Sequence, residues 1–294
     1  MSTPTIRLAS ILCLAASSLV SSSCVIAHPA RAVVGSAPTA LGARTVAYTS
    51  ESGRPIHAWF ARGRPGEGAV LLLHGVGENR RAMLGRAQFL HDEGFTVLAP
   101  DLQAHGESPG EHITFGALES LDAAASVRFL REQAPDERIG VIGVSMGGAA
   151  ALLGPGPLDV DAFVLESVYP TIRQALADRL AAWLGPFRGL GRALTPVLID
   201  IIGGDIGITE AELQPIDRIG QISAPLLLLF GTADRYTPVG ESASLYERAP
   251  SPKSYWAVTG AGHQDLYAFA PLEYERRVGG FLMRTLRAPA AVGR

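Results

Sequence analysis

The stretch Arg138-Ile139-Gly140-Val141-Ile142-Gly143-Val144-Ser145-Met146-Gly147-Gly148-Ala149-Ala150 decides how the rest of the chain is read. Its apolar run, Ile139 to Val144, reads as a strand buried on both faces. The run stops at a serine set between two glycines, Gly143-Val144-Ser145-Met146-Gly147, and small helix-forming residues follow. This is the nucleophile-elbow pattern, in which a strand turns sharply into a helix and lifts one hydroxyl to the top of a sheet. Gly143 and Gly147 are expected because such a turn brings backbones so close that a Cβ would collide. Ser145 is expected in a strained backbone conformation.

Around this centre the chain is 294 residues long, enough for one large α/β domain with a substantial core. Its net charge of −3 gives no polyanion-binding surface, so nucleic acid is not expected as a partner. Nearly all the basic residues are arginine, with Lys253 the only lysine, which reads as genomic bias and not as function. No repeat and no metal-ligand spacing is present, so neither a metal nor another cofactor is expected.

Residues 1–32 read as a secretory signal peptide. Arg7 precedes an apolar run, Leu8 to Ala16 extended by Leu19 and Val20, and a small-residue stretch leads to Ala30-Arg31-Ala32, an Ala-x-Ala pattern. The run is shorter than the roughly 20 apolar residues of a membrane-spanning helix. An uncleaved anchor is the alternative, and Ser22-Ser23-Cys24 faintly resembles a lipoprotein cleavage site, although Ser21 stands where leucine is usual. The protein is therefore expected to be exported, periplasmic or secreted, or else attached to a membrane through its N-terminus. Both cysteines, Cys13 and Cys24, fall in this leader, so the mature domain has no disulfide. Residues 33–44 read as a linker, 45–287 as the domain and 288–294 as a tail.

From Thr45 onward strands and helices alternate, which predicts a mostly parallel sheet covered on both faces. Thr45 to Thr49 and Ile56 to Ala61 flank a Ser52-Gly53-Arg54-Pro55 turn and form an edge hairpin. Strands follow at Ala69 to Leu73, Phe95 to Ala99, Ile139 to Val144, Ala162 to Leu165, Leu226 to Phe230 and Tyr255 to Val258. Helices are predicted from Asn79 to Glu93, Phe115 to Gln133, Ser242 to Glu247 and Glu273 to Leu286. Residues 167–222 interrupt the rhythm with leucines and isoleucines at helical spacing. That is too long for a simple connection and predicts a small helical lid over the carboxyl ends of the strands, or else a crossover helix with surface decoration.

A serine hydroxyl needs a base to take its proton, and the base needs a group to orient it. On an open α/β sheet these groups gather beyond the carboxyl ends of the strands. Asp234, in Gly231-Thr232-Ala233-Asp234, follows one buried strand, and His263, in Gly260-Ala261-Gly262-His263, follows the next. Glu166, after the strand that follows the serine, is the alternative acid.

These landmarks, with His74-Gly75-Val76-Gly77 after the strand ending at Leu73, resemble the α/β-hydrolases of the carboxylesterase and serine-aminopeptidase-like group. The likeness runs from about Thr45 to Leu286. It implies Ser145 as nucleophile, His263 as general base and then acid, Asp234 as the group that holds the imidazole, and an oxyanion hole from the N–H groups of Val76 and Met146. Asp101-Leu102-Gln103-Ala104-His105-Gly106-Glu107-Ser108 resembles the family's Asp-x-Arg-Gly-x-Gly-x-Ser loop, with Gln103 and Ala104 in place of Arg and Gly. Asp101 reads as fixing that loop, His74 as bracing the oxyanion loop, and His105 as having no catalytic role.

The expected activity is hydrolysis of a small-molecule carboxylic ester through a covalent acyl-enzyme, without a cofactor. Amide cleavage in the manner of an aminopeptidase, thioester cleavage, and a non-enzymatic binding module on the same fold are the alternatives. An exopeptidase needs a carboxylate to grip the substrate ammonium, for which Glu166, Asp205 and Glu210 are candidates. Oligomeric state and natural substrate are not written in the sequence.

Overall fold

The computed structural model describes residues 27–287. The apolar run of the proposed leader, Cys24 and the 288–294 tail lie outside the described residues.

The strands and main helices follow in the order β1 (Ala30–Arg31), β2 (Arg44–Thr49), β3 (Pro55–Ala61), β4 (Ala69–Leu73), α1 (Leu84–Asp92), β5 (Thr96–Pro100), β6 (His105–Gly106), α2 (Glu119–Gln133), β7 (Ile139–Val144), α3 (Met146–Leu152), β8 (Ala162–Glu166), α4 (Ile172–Leu184), α5 (Arg188–Ile206), β9 (Leu226–Gly231), α6 (Val239–Arg248), β10 (Lys253–Val258) and α7 (Gly280–Leu286). Eight strands form one sheet in the order β10-β9-β8-β7-β4-β5-β3-β2. The β2–β3 hairpin lies at the edge and pairs antiparallel, as does β3 with β5, and every other pairing is parallel.

The apolar strands are buried because alternate side chains feed two cores. Leu71 and Leu73 of β4 pack with Ala123, Val127 and Leu130 of α2 on one face. Val70 and Leu72 pack with Ala87 and Leu90 of α1 and with Leu282 and Leu286 of α7 on the other. The elbow strand β7 sits centrally, between β4 and β8, so its carboxyl end opens at the middle of the sheet edge.

Two helices begin later than the sequence pattern suggests. Phe115 and Gly116 take φ of 54° and 111°, so the chain turns there and α2 starts at Glu119. The Glu119 carboxylate accepts the N–H groups of Thr114 and Gly116, both at 2.8 Å, and satisfies that turn from inside the helix. Arg80–Met83 is a tight 3-10 turn capped by the Asn79 side chain, and α1 follows from Leu84.

The long insertion is a helical hairpin, α4 and α5, whose own small core is Leu176, Leu198, Ile199 and Ile202. Thr171 caps α4 by accepting the Gln174 N–H at 3.1 Å. Residues 27–41, which the sequence assigns to the end of a leader and to a linker, lie against the domain. Ala27, Val34 and Leu41 are buried, and β1 pairs in parallel with β6. The Val34 and Gly35 amides donate to Glu107 Oε1 at 3.1 and 2.9 Å, so hydrogen bonding invisible in the composition ties this strap down.

Candidate active site

Ser145 stands between β7 and α3 with φ 49° and ψ −111°, the only residue in that turn forced into so rare a region. The neighbouring glycines explain how the turn closes: a Cβ on Gly147 would lie 2.4 Å from the Leu73 carbonyl oxygen, and one on Gly143 would lie 2.6 Å from Gly148 Cα. The strain holds the serine at the head of a helix. Met146 is the first residue of α3, so its N–H is one of the donors that a helix start leaves unpaired.

Asp234 lies three residues past the end of β9. Its Oδ1 accepts the amides of Tyr236 and Thr237 at 2.8 and 2.9 Å, and its Oδ2 accepts Nδ1–H of His263 at 2.8 Å. Burial works to raise the carboxyl pKa, but the His263 hydrogen bond and charge, with the two amides, outweigh it and hold Asp234 below its ordinary value. The Tyr236 ring stands edge-on to the imidazole, with centroids 5.5 Å apart. His263 and Ser145 line one cleft, together with Val76. No hydrogen bond joins Ser145 to His263, whose Nδ1 is engaged by Asp234.

The loop after β4 carries Val76, whose N–H has no partner among the described residues. Two contacts hold it: Glu78 Oε2 accepts the Gly75 amide at 3.0 Å, and His105 Nε2 accepts the Gly77 amide at 3.1 Å. An accepting Nε2 leaves the His105 proton on Nδ1, which donates to the Gln103 carbonyl at 2.8 Å. His74 works one step back, accepting the Leu102 amide at 3.1 Å through Nε2 and donating from Nδ1 to the Gly75 carbonyl. Burial drives both imidazoles towards neutrality, His74 to about 3. Both histidines therefore brace the loop after β4, His74 as the sequence predicts and His105 in addition, a contact the sequence misses because a hydrogen bond across 28 positions has no local signature.

Asp101 fixes its loop as expected. It accepts the amides of Arg80 and Glu107, both at 2.8 Å, and pairs with the buried Arg80 guanidinium. Ala104, standing where the resemblance has glycine, takes φ 60°.

The structure brings His263 to Asp234 and not to Glu166. Glu166 is buried and bound by Arg86, with Nε at 3.0 Å and Nη2 at 2.7 Å, and by the Tyr274 hydroxyl. Arg86 also reaches Asp265 at 2.8 Å. Of the three carboxylates proposed to grip an ammonium, Glu166 is held by Arg86, Glu210 is paired with Arg173, and Asp205 lines neither cavity at the serine. Among the described residues no His/Cys/Asp/Glu group is arranged to hold a metal ion.

Two cavities meet at Ser145. One, of about 170 Å3, is the more polar of the two and includes Glu78, Arg86, Arg179 and His263. The other, of about 810 Å3, is apolar and runs beneath α4 and α5 past Leu176, Leu180, Leu198, Ile199 and Ile202. His28, Pro29 and Ala30 of the strap form part of its wall.

A mostly parallel sheet with a strained serine at a central strand end, and an Asp–His pair beyond the last two strands, β9 and β10, defines an α/β-hydrolase. The chain belongs to that superfamily. The family model described as serine aminopeptidase, S33, matches residues 64–193. An uncharacterized protein of Mycobacterium tuberculosis is 30% identical over 246 residues, covering 82% of this chain and 80% of that one. An esterase of Pyrococcus furiosus superposes with a TM-score of 0.72 at 29% identity, over 88% of this chain and 98% of its own. A monoglyceride lipase of Rattus norvegicus is 26% identical over 223 residues, covering 66% of this chain and 73% of the lipase.

Proposed function

We propose that this hydrolase cleaves carboxylic esters that carry an apolar acyl chain, through Ser145, His263 and Asp234. The observation that carries the reading is the large apolar cavity that opens on Ser145 under the α4–α5 hairpin. An acyl chain laid there leaves its carbonyl at the serine and its alcohol in the smaller polar cavity. In the proposed reaction His263 takes the Ser145 proton as Oγ attacks the carbonyl carbon. The oxyanion is met by the Val76 and Met146 N–H groups, each worth on the order of 3 kcal/mol of barrier by analogy with other oxyanion holes. His263 then gives that proton to the departing alkoxide oxygen. Water attacks the acyl-enzyme with His263 again as base, releasing the carboxylic acid and restoring the serine.

Support also comes from the similarity to the Pyrococcus esterase and the rat monoglyceride lipase, both named for ester cleavage. The family description favours amide cleavage instead. Of the carboxylates weighed for gripping an ammonium, Glu166 and Glu210 are paired with arginines and Asp205 lines neither cavity. That leaves Glu78, in the cleft beside Ser145, as the carboxylate that reading would use. Hydrolysis of p-nitrophenyl esters from acetyl to palmitoyl, by wild type and Ser145→Ala, tests the reading. Activity on medium or long chains, lost in the variant together with fluorophosphonate labelling, is expected. Turnover of aminoacyl anilides with none of any ester would replace it with the peptidase. Export stays a proposal resting on the apolar leader, and the packing of residues 27–35 favours a mature chain that retains them.

A further inference from the structure

We infer that the polar cavity beside Ser145 is a subsite for a single anionic group on the alcohol portion of the substrate, formed by the Arg179 guanidinium and the Ser167 hydroxyl. The class of substrate is then an acyl ester of a small hydroxy acid, with its carboxylate a bond or two from the ester oxygen. The inference rests on the proposed ester hydrolysis for the direction in which the substrate lies.

The argument is one of partners. Arg179 projects from lid helix α4 and lines both cavities that meet at the serine. Its guanidinium lies over the Tyr236 ring at 5.1 Å, which fixes its place but supplies no oxygen acceptor. The other charged groups of this cavity each have a protein partner: Glu78 accepts the Gly75 amide through Oε2, Arg86 pairs with both Glu166 and Asp265, and His263 donates to Asp234. Among the charged residues that line this cavity, Arg179 alone has neither an ion-pair nor a hydrogen-bond partner among the described residues. An arginine cannot shed its charge, so an anion is its natural complement.

Ser167 supplies an independent observation. It lies just past β8 with φ 48°, is 4% exposed, and lines the same cavity. Its Oγ is buried without any hydrogen-bond partner, although its backbone is held on both sides by Leu229 and Thr237. A buried hydroxyl left unpaired is costly, and a ligand oxygen would relieve it. Two unsatisfied donors, one charged, therefore line the small cavity where the alcohol portion would sit, while the acyl chain takes the apolar one.

The test uses N-decanoylglycine and its neutral counterpart N-decanoylglycinamide, whose amide replaces the ester and whose carboxylate or carboxamide occupies the alcohol side. Calorimetric binding to full-length Ser145→Ala protein reads the subsite without turnover, so it is independent of whether esters are hydrolysed. The carboxylate should bind at least tenfold more tightly than the carboxamide. That ratio should fall at least fivefold on adding Arg179→Gln, recover in part with Arg179→Lys, and fall by a smaller factor with Ser167→Ala. Equal binding of the two ligands, binding of neither, or a preference untouched by both Arg179→Gln and Ser167→Ala would overturn the inference. So would a fall common to both ligands, which would make Arg179 a support for the lid and the Tyr236 loop.

Discussion

His105 Nε2 accepts the backbone N–H of Gly77 at 3.1 Å and so ties the loop after β4 to the loop after β5. The bond fixes the residue next to Val76, whose own N–H has no acceptor among the described residues. His105→Phe keeps a ring of similar size and removes the acceptor. We expect kcat to fall roughly tenfold, a fraction of what loss of an oxyanion donor itself costs, with little change in KM. Because burial keeps His105 neutral, the shape of the pH–rate profile should be the same in both proteins. A variant with wild-type kcat would show that the loop is held without this bond.

The Arg86–Glu166 pair lies beneath the cleft, with both side chains almost wholly buried. Breaking such a pair from one side leaves a charge without compensation, at about 3–5 kcal/mol. Glu166→Ala should lose stability on that scale in urea unfolding, whereas the doubly substituted Arg86→Met/Glu166→Met should recover much of it. Soluble Glu166→Ala protein should keep its fluorophosphonate reactivity, because His263 is held by Asp234. Loss of labelling with stability intact would restore Glu166 as a candidate acid.

Glu241, at the start of α6, carries its carboxyl up to about 8, because it is buried and because Asp178 and Asp234 lie near. One of its oxygens is buried with no partner. For an acid whose folded pKa is raised, the folded state binds more protons than the unfolded one between the ordinary glutamate pKa and the raised value. The stabilising contribution of Glu241 is therefore fully present below about 4 and is lost as pH rises towards about 8. Glu241→Gln removes that loss. Its melting temperature should equal wild type near pH 5 and exceed it at pH 8.5. Parallel curves across that range would sink this account.

Residues 27–35 close one side of the apolar cavity and are anchored on Glu107, Gly106, Arg80 and Arg81. A chain that starts at Val33 loses His28, Pro29 and Ala30 from that wall. Compared with a chain that starts at Ala27, it should melt lower and lose its preference for longer acyl chains while still cleaving short esters. The same preference in both would mean that the strap is a passenger, and cleavage after Ala32 would then cost the site nothing.

The elbow, the order of strands and helices, and the inserted hairpin were legible because each has a local cause. An apolar run of five or six residues between turn signals has few places to go other than a buried strand, and β4, β7, β8 and β9 lie within a residue or so of where those runs predict. The helix starts were less legible. Phe115 looks helical by spacing, yet its positive φ follows from the Glu119 carboxylate taking the preceding amides. The 27–44 segment read as leader and linker because its composition is small and apolar, and nothing nearby announces Glu107 as its acceptor.

By itself the sequence determined the class of fold and which serine and histidine belong at the carboxyl ends of its strands, with Asp234 and Glu166 both open as the carboxylate, since chain order and strand position are local facts. Only the tertiary structure decided that His263 meets Asp234 and not Glu166, that His105 holds the loop after β4, and that the Arg179 guanidinium and the Ser167 hydroxyl have no hydrogen-bond partner among the described residues. The physical reason is that a hydrogen bond or an ion pair is chosen by three-dimensional distance. Arg86 and Glu166 are 80 positions apart and 2.7 Å from one another, and no spacing rule joins them.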